Sequence, residues 1–252
     1  MVSRNVSERE KQVLDLVIES PELSVSDMSR RLGVSAVTVR STLNSLAEKG
    51  LIVRTWGGAM PAFHPTIVER QRASVGEKNR IAQAAAELVG DHETLMIEAG
   101  TTTALLGHNL LGKRDLQVVT NSTLVLSAMR TNPQIRGCLV GGDFNPTTES
   151  LVGPIALGAL RQFHVTTAFV GTDGFSVEGG LSTHLVDGAE VVRTMAKQAD
   201  RTVVLADSSK YGKRGFVHVL PLEEIDILIT DTGLPESIAE EIAALGVQVR
   251  RV

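Results

Sequence analysis

Only one cysteine, Cys138, occurs in 252 residues. That excludes an intramolecular disulfide and suits a reducing, cytoplasmic location. Aromatic residues make up 3% of the chain, too few for the stacking platforms that hold single-stranded nucleic acid. No apolar run approaches the roughly 20 residues of a membrane span, so no membrane partner is expected. The N-terminal stretch MVSRNVSEREK has no signal-peptide apolar core. The histidines, at 64, 92, 108, 164, 184 and 218, show no ligand spacing, so no metal site and no cofactor are expected. Excess charge is also scarce: the net charge is −4. Residues 1–60 hold 8 Lys+Arg against 7 Asp+Glu, so the acidic excess lies beyond them. A DNA binder this weakly charged needs a local basic patch and more than one copy of its reading head.

What is present divides the chain in two. The sequence predicts an α/β protein: a small N-terminal winged helix-turn-helix domain, then a Rossmann-like three-layer α/β/α domain with a mainly parallel sheet. The expected boundaries are 1–60 for the first, 61–76 for a linker in which Pro61 and Pro65 bracket the joint Ala62-Phe63-His64, and 77–252 for the second. Ser7 and Glu10 form a capping box for a first helix, which Pro21 stops. Ser24 or Ser26 caps a second, with Met28 and Leu32 buried four apart. Gly33 supplies a turn and Ser35 caps a third helix, in which Val39, Leu43 and Leu46 recur at i, i+4, i+7. The opposite face, Val37, Ser41, Asn44 and Glu48 with Thr38 and Arg40 at its flanks, is short and polar with one arginine. Such a face admits close approach to a major groove, with hydroxyls for phosphates and a guanidinium for a guanine or a phosphate. Residues 51–56 then read as a strand and turn that form a wing. Ser35, Thr38, Arg40, Ser41, Asn44, Arg54, Trp56 and Gly57 are the expected contacts to double-stranded operator DNA. A plain helical hairpin with a solvated face is the competing reading.

From residue 77 helices alternate with about seven short apolar runs, which implies a parallel sheet covered on both faces. The residues after these runs are small, hydroxylated, acidic or glycine: 98–103 (EAGTTT), 120–122 (TNS), 141–143 (GGD), 171–174 (GTDG), 207–210 (DSSK) and 230–231 (TD). In an open parallel sheet these ends share one edge, where ligands bind. Gly100, Thr101, Thr102 and Thr103 open a helix, and N–H groups with hydroxyls at a helix start make an anion site. Simple capping is the alternative there, and also at Asn121 and Ser122. Asp173-Gly174 reads either as a turn or as a ligand contact. His184 faces the same crevice if Gly179-Gly180 is a turn.

Two motif sets resemble the DeoR family of bacterial repressors. Val34-Ser35, Thr38-Val39-Arg40, Leu43 and the run Arg54-Thr55-Trp56-Gly57-Gly58-Ala59 match that family's winged helix. Ser41 and Thr42 depart from it, since Arg and Asp are usual there. Glu69-Arg70 and Glu77-Lys78 match further family positions. The larger part resembles the family's sensor domain, related to ribose-5-phosphate isomerase. Its D-x-G-T-T falls at 98–102, with Glu98 for Asp; T-N-S at 120–122; G-G at Gly141-Gly142; and D-x-x-K at Asp207 and Lys210. The resemblance implies a phosphorylated sugar effector contacted by Lys78, Gly100 to Thr103, Thr120, Asn121, Ser122, Gly142, Asp173, Gly174, Asp207 and Lys210. A further family acid falls at Asp187 or Glu190. The implied protein is a non-enzymatic, homodimeric or homotetrameric repressor of a carbohydrate-utilisation operon. The alternative is a sugar-phosphate isomerase with an attached DNA head. The isomerase pattern at 173–177 keeps its first acid and lacks the later ones, so the base and electrophile of aldose–ketose isomerisation are missing.

Overall fold

The computed structural model describes residues 6–252; residues 1–5, the start of the first expected domain, lie outside the described residues. The chain divides into two compact units, Met1–Arg70 and Gln71–Val252.

The first unit is built by its caps. Helix α1 (Glu8–Glu19) starts on the Ser7–Glu10 capping box, α2 (Val25–Leu32) on Ser24, and α3 (Ala36–Glu48) on Ser35. Between α2 and α3, Gly33 takes φ +64°, a left-handed conformation that costs glycine little. Strands β1 (Ile52–Thr55) and β2 (Gly58–Pro61) form an antiparallel hairpin, and α4 (Pro65–Arg72) follows. Val13, Leu14, Val17, Met28, Val39, Leu43, Leu46, Leu51, Ile52, Ala59 and Val68 form one core. The expected linker therefore belongs in part to this unit, because Val68 of α4 is fully buried in that core.

The second unit runs α5 (Val75–Glu87), β3 (Thr94–Ile97), α6 (Thr101–Asn109), β4 (Leu116–Thr120), α7 (Thr123–Met129) and β5 (Ile135–Leu139). A short hairpin follows, β6 (Asp143–Asn145) and β7 (Ser150–Val152), then α8 (Gly153–Leu160) and β8 (Thr167–Val170). Next come β9 (Gly174–Ser176), β10 (Gly180–Thr183), α9 (Val186–Lys197), β11 (Thr202–Leu205), β12 (Val217–His218), β13 (Ile227–Thr230), α10 (Glu236–Ala244) and β14 (Gln248–Arg251). Seven strands form one sheet in the order β14-β13-β11-β8-β3-β4-β5, and every pairing in it is parallel.

Side-chain alternation divides the inner strands β3, β8, β11 and β13 between two cores. Leu95, Ile97, Phe169, Val203, Leu205, Ile227 and Ile229 pack with residues of α5, α6 and α7 on one face. Met96, Ala168, Val170, Val204 and Leu228 pack with α8, α9 and α10 on the other. The expected three layers are there. The small antiparallel additions, β6–β7 and the sheet β12-β10-β9, depart from the simple alternation of helix and strand read from the sequence. They are too short for periodicity to register, and side chains from distant segments hold them in place.

One buried ion pair ties the ends of the head's helices. Lys49, just past α3, donates to Glu10 of α1 at 2.7 and 2.8 Å, and Ser45 Oγ donates at 2.6 Å. Burial pushes the Glu10 carboxyl up, but hydrogen bonds from Lys49, Ser45 and Ser7 outweigh it and lower it from 4.5 to about 2. Because the folded value lies below the unfolded one, the stabilisation is complete above about pH 4.5 and is lost as pH falls through 2. Glu10→Ala is expected to cost the head about 1–3 kcal/mol, since Lys49 and Ser45 lose their buried acceptor. Hydrogen exchange of α1 and α3 amides at neutral pH checks this; unchanged protection refutes it.

Candidate DNA-binding and effector sites

The two faces of α3 differ as the helical wheel requires. Val39, Leu43 and Leu46 are fully buried, while Ser35, Val37, Thr38, Arg40, Ser41 and Asn44 are exposed. Thr42 is buried and its hydroxyl donates to the Thr38 carbonyl at 3.0 Å. The first turns of α1 and α2 carry acids, Glu8, Glu10 and Asp27, whereas that of α3 carries none. An anion approaching the positive end of α3 therefore meets no fixed negative charge on that turn.

The wing is braced on this helix. Arg54 of β1 is half-buried, and its Nη1 donates to Asn44 Oδ1 at 2.8 Å and to the Arg40 carbonyl at 3.5 Å. Two residues expected on DNA, Arg54 and Asn44, are thus brought together and hold each other. At the wing tip Gly57 takes φ +86°, its carbonyl accepts from Val25 N–H at 2.8 Å, and Trp56 is fully exposed. This brace could not be read from the sequence, because ten residues and a chain reversal separate Asn44 from Arg54.

In the second unit the chain passes from β3 outward to β4 and β5, then returns to place β8 on the other side of β3. The point between β3 and β8 is a topological switch point, where loops leave the sheet in opposite directions and open a crevice. Glu98 crosses it: its Oε2 accepts from Gly171 N–H, just past β8, at 3.1 Å. Gly100 is the N-cap of α6 and supplies no side-chain cap. Thr101 and Thr102 are half-buried at this opening. Thr103 is fully buried and donates to the Gly100 carbonyl at 3.0 Å, so its hydroxyl serves the turn itself.

Several expected ligand residues are tied into the chain's own structure. Thr120 is fully buried, donates to the Ile97 carbonyl at 2.6 Å and accepts from Ser122 N–H at 3.0 Å. Asn121, 1% exposed, accepts from Ala99 N–H at 3.0 Å and donates to the Leu151 carbonyl at 3.2 Å. Ser122 caps α7 through Val125 N–H. Gly142 has φ +136°, and a Cβ there would meet the Val152 carbonyl oxygen at 2.5 Å. At Gly174 a Cβ would collide with the Lys213 carbonyl oxygen. Asp173 accepts from Thr183 Oγ1 at 2.8 Å and His184 N–H at 3.1 Å. Lys78 is buried on α5.

Asp207 caps the 3-10 turn Ser208–Lys210, accepting from Ser209 N–H at 3.1 Å, and so presents Lys210. The following loop is pinned beside Asp173: Gly212 N–H donates to the Phe175 carbonyl at 2.9 Å, and the Phe175 and Tyr211 rings meet edge to face at 5.6 Å. Asp231, read from the sequence only as a strand end, accepts from Ser208 N–H at 2.7 Å, Ser208 Oγ at 2.8 Å and Gly233 N–H at 2.9 Å. Burial raises its carboxyl, but these bonds prevail and hold it below the usual carboxylate value. Of the remaining acids, Asp187 is exposed on α9 and Glu190 pairs with Arg193. Among the described residues no cluster of His, Cys, Asp and Glu could hold a metal ion, and no helix is long and apolar enough to cross a membrane.

Residues 9–62 match the model of the DeoR-like helix-turn-helix domain, and residues 73–232 match that of the DeoR C-terminal sensor domain. The chain belongs to the DeoR family. It is 34% identical over 248 residues to the HTH-type transcriptional regulator GlpR of Haloferax volcanii, covering 96% of each chain. It is 27% identical to the glycerol-3-phosphate regulon repressor of Escherichia coli K12, over 93% of this chain and 94% of that one. Ribose 5-phosphate isomerase A of Methanocaldococcus jannaschii aligns over 55% of each chain at 19% identity, with a TM-score of 0.40. This DeoR-family protein is therefore a DNA-binding transcriptional repressor, and its relatives over nearly the whole chain are regulators, not enzymes.

If the brace fixes the wing, Arg54→Ala and Asn44→Ala will each weaken DNA binding, and the double variant will lose less than the sum. A coupling of about 0.5–3 kcal/mol is expected for residues in direct contact. Additive losses in DNA titrations at fixed salt would show that the two residues act independently.

Proposed function

We propose that this repressor controls a carbohydrate-utilisation operon and senses a phosphorylated sugar or sugar-derived metabolite at the switch point of its larger unit. The supporting observation is the start of α6. Its first-turn N–H groups have no side-chain cap, and they open beside β8 with the hydroxyls of Thr101 and Thr102. A phosphate there accepts several N–H and O–H bonds at the positive end of a helix. The strand order sets the turn carrying Lys210 two strands away, on the same edge, where a lysine favours a dianion. A relative named for the glycerol-3-phosphate regulon is in keeping with a small phosphorylated polyol or sugar.

In this reading α3 enters the major groove and the wing follows the adjacent backbone. One short helix carrying one exposed arginine is a small footprint, so the protein works as a homodimer or homotetramer presenting paired heads to a repeated operator. The working division is a head made of 1–60 and the part of the 61–76 connection that packs on its core, followed by a sensor over 77–252.

Thr102→Glu places a fixed carboxylate in the proposed cradle. The variant should bind DNA as the parent does and lose the thermal stabilisation that a panel of sugar phosphates gives the parent. A preserved shift would move the phosphate site elsewhere; no shift in the parent across the panel would refute the effector class. Arg40→Ala should weaken DNA binding by about 1–3 kcal/mol with the fold retained. Equal affinity in a titration at fixed salt would remove Arg40 from the interface. Sedimentation that finds only monomer at micromolar concentration, with specific DNA binding intact, would refute the paired heads.

A further inference from the structure

One apolar side chain on α3 has no use in the head's own packing. Val37, the second residue of the helix, is 72% exposed, although Val39 next to it on the inner face is fully buried. The apolar staple at a helix entry joins the residue before the cap to the fourth helical position. Here those residues are Val34 and Val39, and both pack on the head's core, so Val37 is not needed for it. A β-branched residue is also a poorer helix former than alanine or glutamate, and an acid would suit the first turn better. Local propensity, helix electrostatics and core packing all disfavour valine at this exposed position. Its exposure leaves it available for a contact outside the head.

Its neighbours define that contact. Arg40 and Ser41, three and four residues on, are exposed on the same side, with Thr38 and the cap Ser35 beside them. Val37 is thus the one large apolar side chain on the exposed face of α3, the face proposed to meet DNA. The thymine 5-methyl is the apolar group that major-groove edges present, and aliphatic side chains recognise it by contact. We infer that Val37 reads a thymine methyl, within one or two base pairs of the position contacted by Arg40. The spacing follows from side chains three residues apart on a helix, roughly 5–6 Å, against base pairs stacked about 3.4 Å apart. Ser41, a small exposed side chain, leaves room beside Val37 for the bases to approach.

The inference rests on α3 being the helix that enters the groove. The test uses the full-length protein and duplexes selected from a random library. Each thymine of a selected duplex is replaced singly by deoxyuridine, which removes only the methyl. A thymine next to the Arg40-dependent position should weaken wild-type binding about threefold to tenfold when demethylated, the worth of roughly one to two buried methyl groups. Val37→Ala should bind the thymine duplex more weakly by a similar factor and should not distinguish uracil from thymine. Wild-type indifference to every substitution, or undiminished uracil discrimination by Val37→Ala, overturns the proposal. If Arg40→Ala binds the selected duplexes as wild type does, α3 is not the reading helix and both readings fall. The deoxyuridine series needs no protein variant, so a folding defect cannot mask the result.

Discussion

The parallel pairing of β3 with β8 is the constraint from which the larger unit's site follows. Residues 98–166 lie between these strands in sequence, yet Leu95, Met96 and Ile97 stand in register with Thr167, Ala168 and Phe169. Because the chain leaves β3 toward one edge and β8 toward the other, no connection crosses above the pair, and their carboxyl ends stand open. Everything polar in the site is arranged about that opening. Glu98 bridges it to Gly171, Asn121 fixes Ala99 on one side, and the Asp173 and Lys210 loops lie on the other. The inner strands β3, β8, β11 and β13 are buried on both faces, so their backbone polarity is accessible at their ends.

Many polar residues at this edge hold loops rather than face the opening. Thr120, Asn121, Ser122, Thr103 and Asp231 are buried and make hydrogen bonds to the chain's own backbone. A buried polar group without partners is costly, so these bonds make each loop's conformation close to unique. The result is a preorganised rim in which Gly100, Thr101 and Thr102 present helix-end N–H groups. Preorganisation matters for a sensor: less ordering free energy is lost when ligand binds, and a small molecule can then bias the protein between two states.

The head uses the same logic at smaller scale. Its three helices and hairpin enclose one core, and two polar ties lock the elements that must keep their relative position. Glu10 with Lys49 and Ser45 fixes α1 against the end of α3, and Arg54 with Asn44 fixes the wing against its middle. Ser24, Ser35 and Gly33 place the turn between α2 and α3. The outer face of α3 is thereby held rigid while its own side chains remain exposed.

Sequence by itself determined the main helices, the strands of the large sheet and the fold class. Apolar periodicity gave the buried face of α3, and serine caps and Gly33 gave its boundaries. The alternation of short apolar runs with helices gave a parallel sheet with its polar ends on one edge. These are local signals, carried by residues within a turn or two of one another. The tertiary structure alone decided which of these polar residues are tied into loops. Asn121 and Thr102 are both plausible ligand groups in the sequence, but Asn121 meets Leu151 thirty residues on and Thr102 stands at the open start of α6. The strand order that creates the switch point, the small sheet beside it and the Arg54–Asn44 brace depend likewise on pairings distant in sequence. Such pairings leave no periodic trace, because each is a single contact made after the chain has folded back on itself.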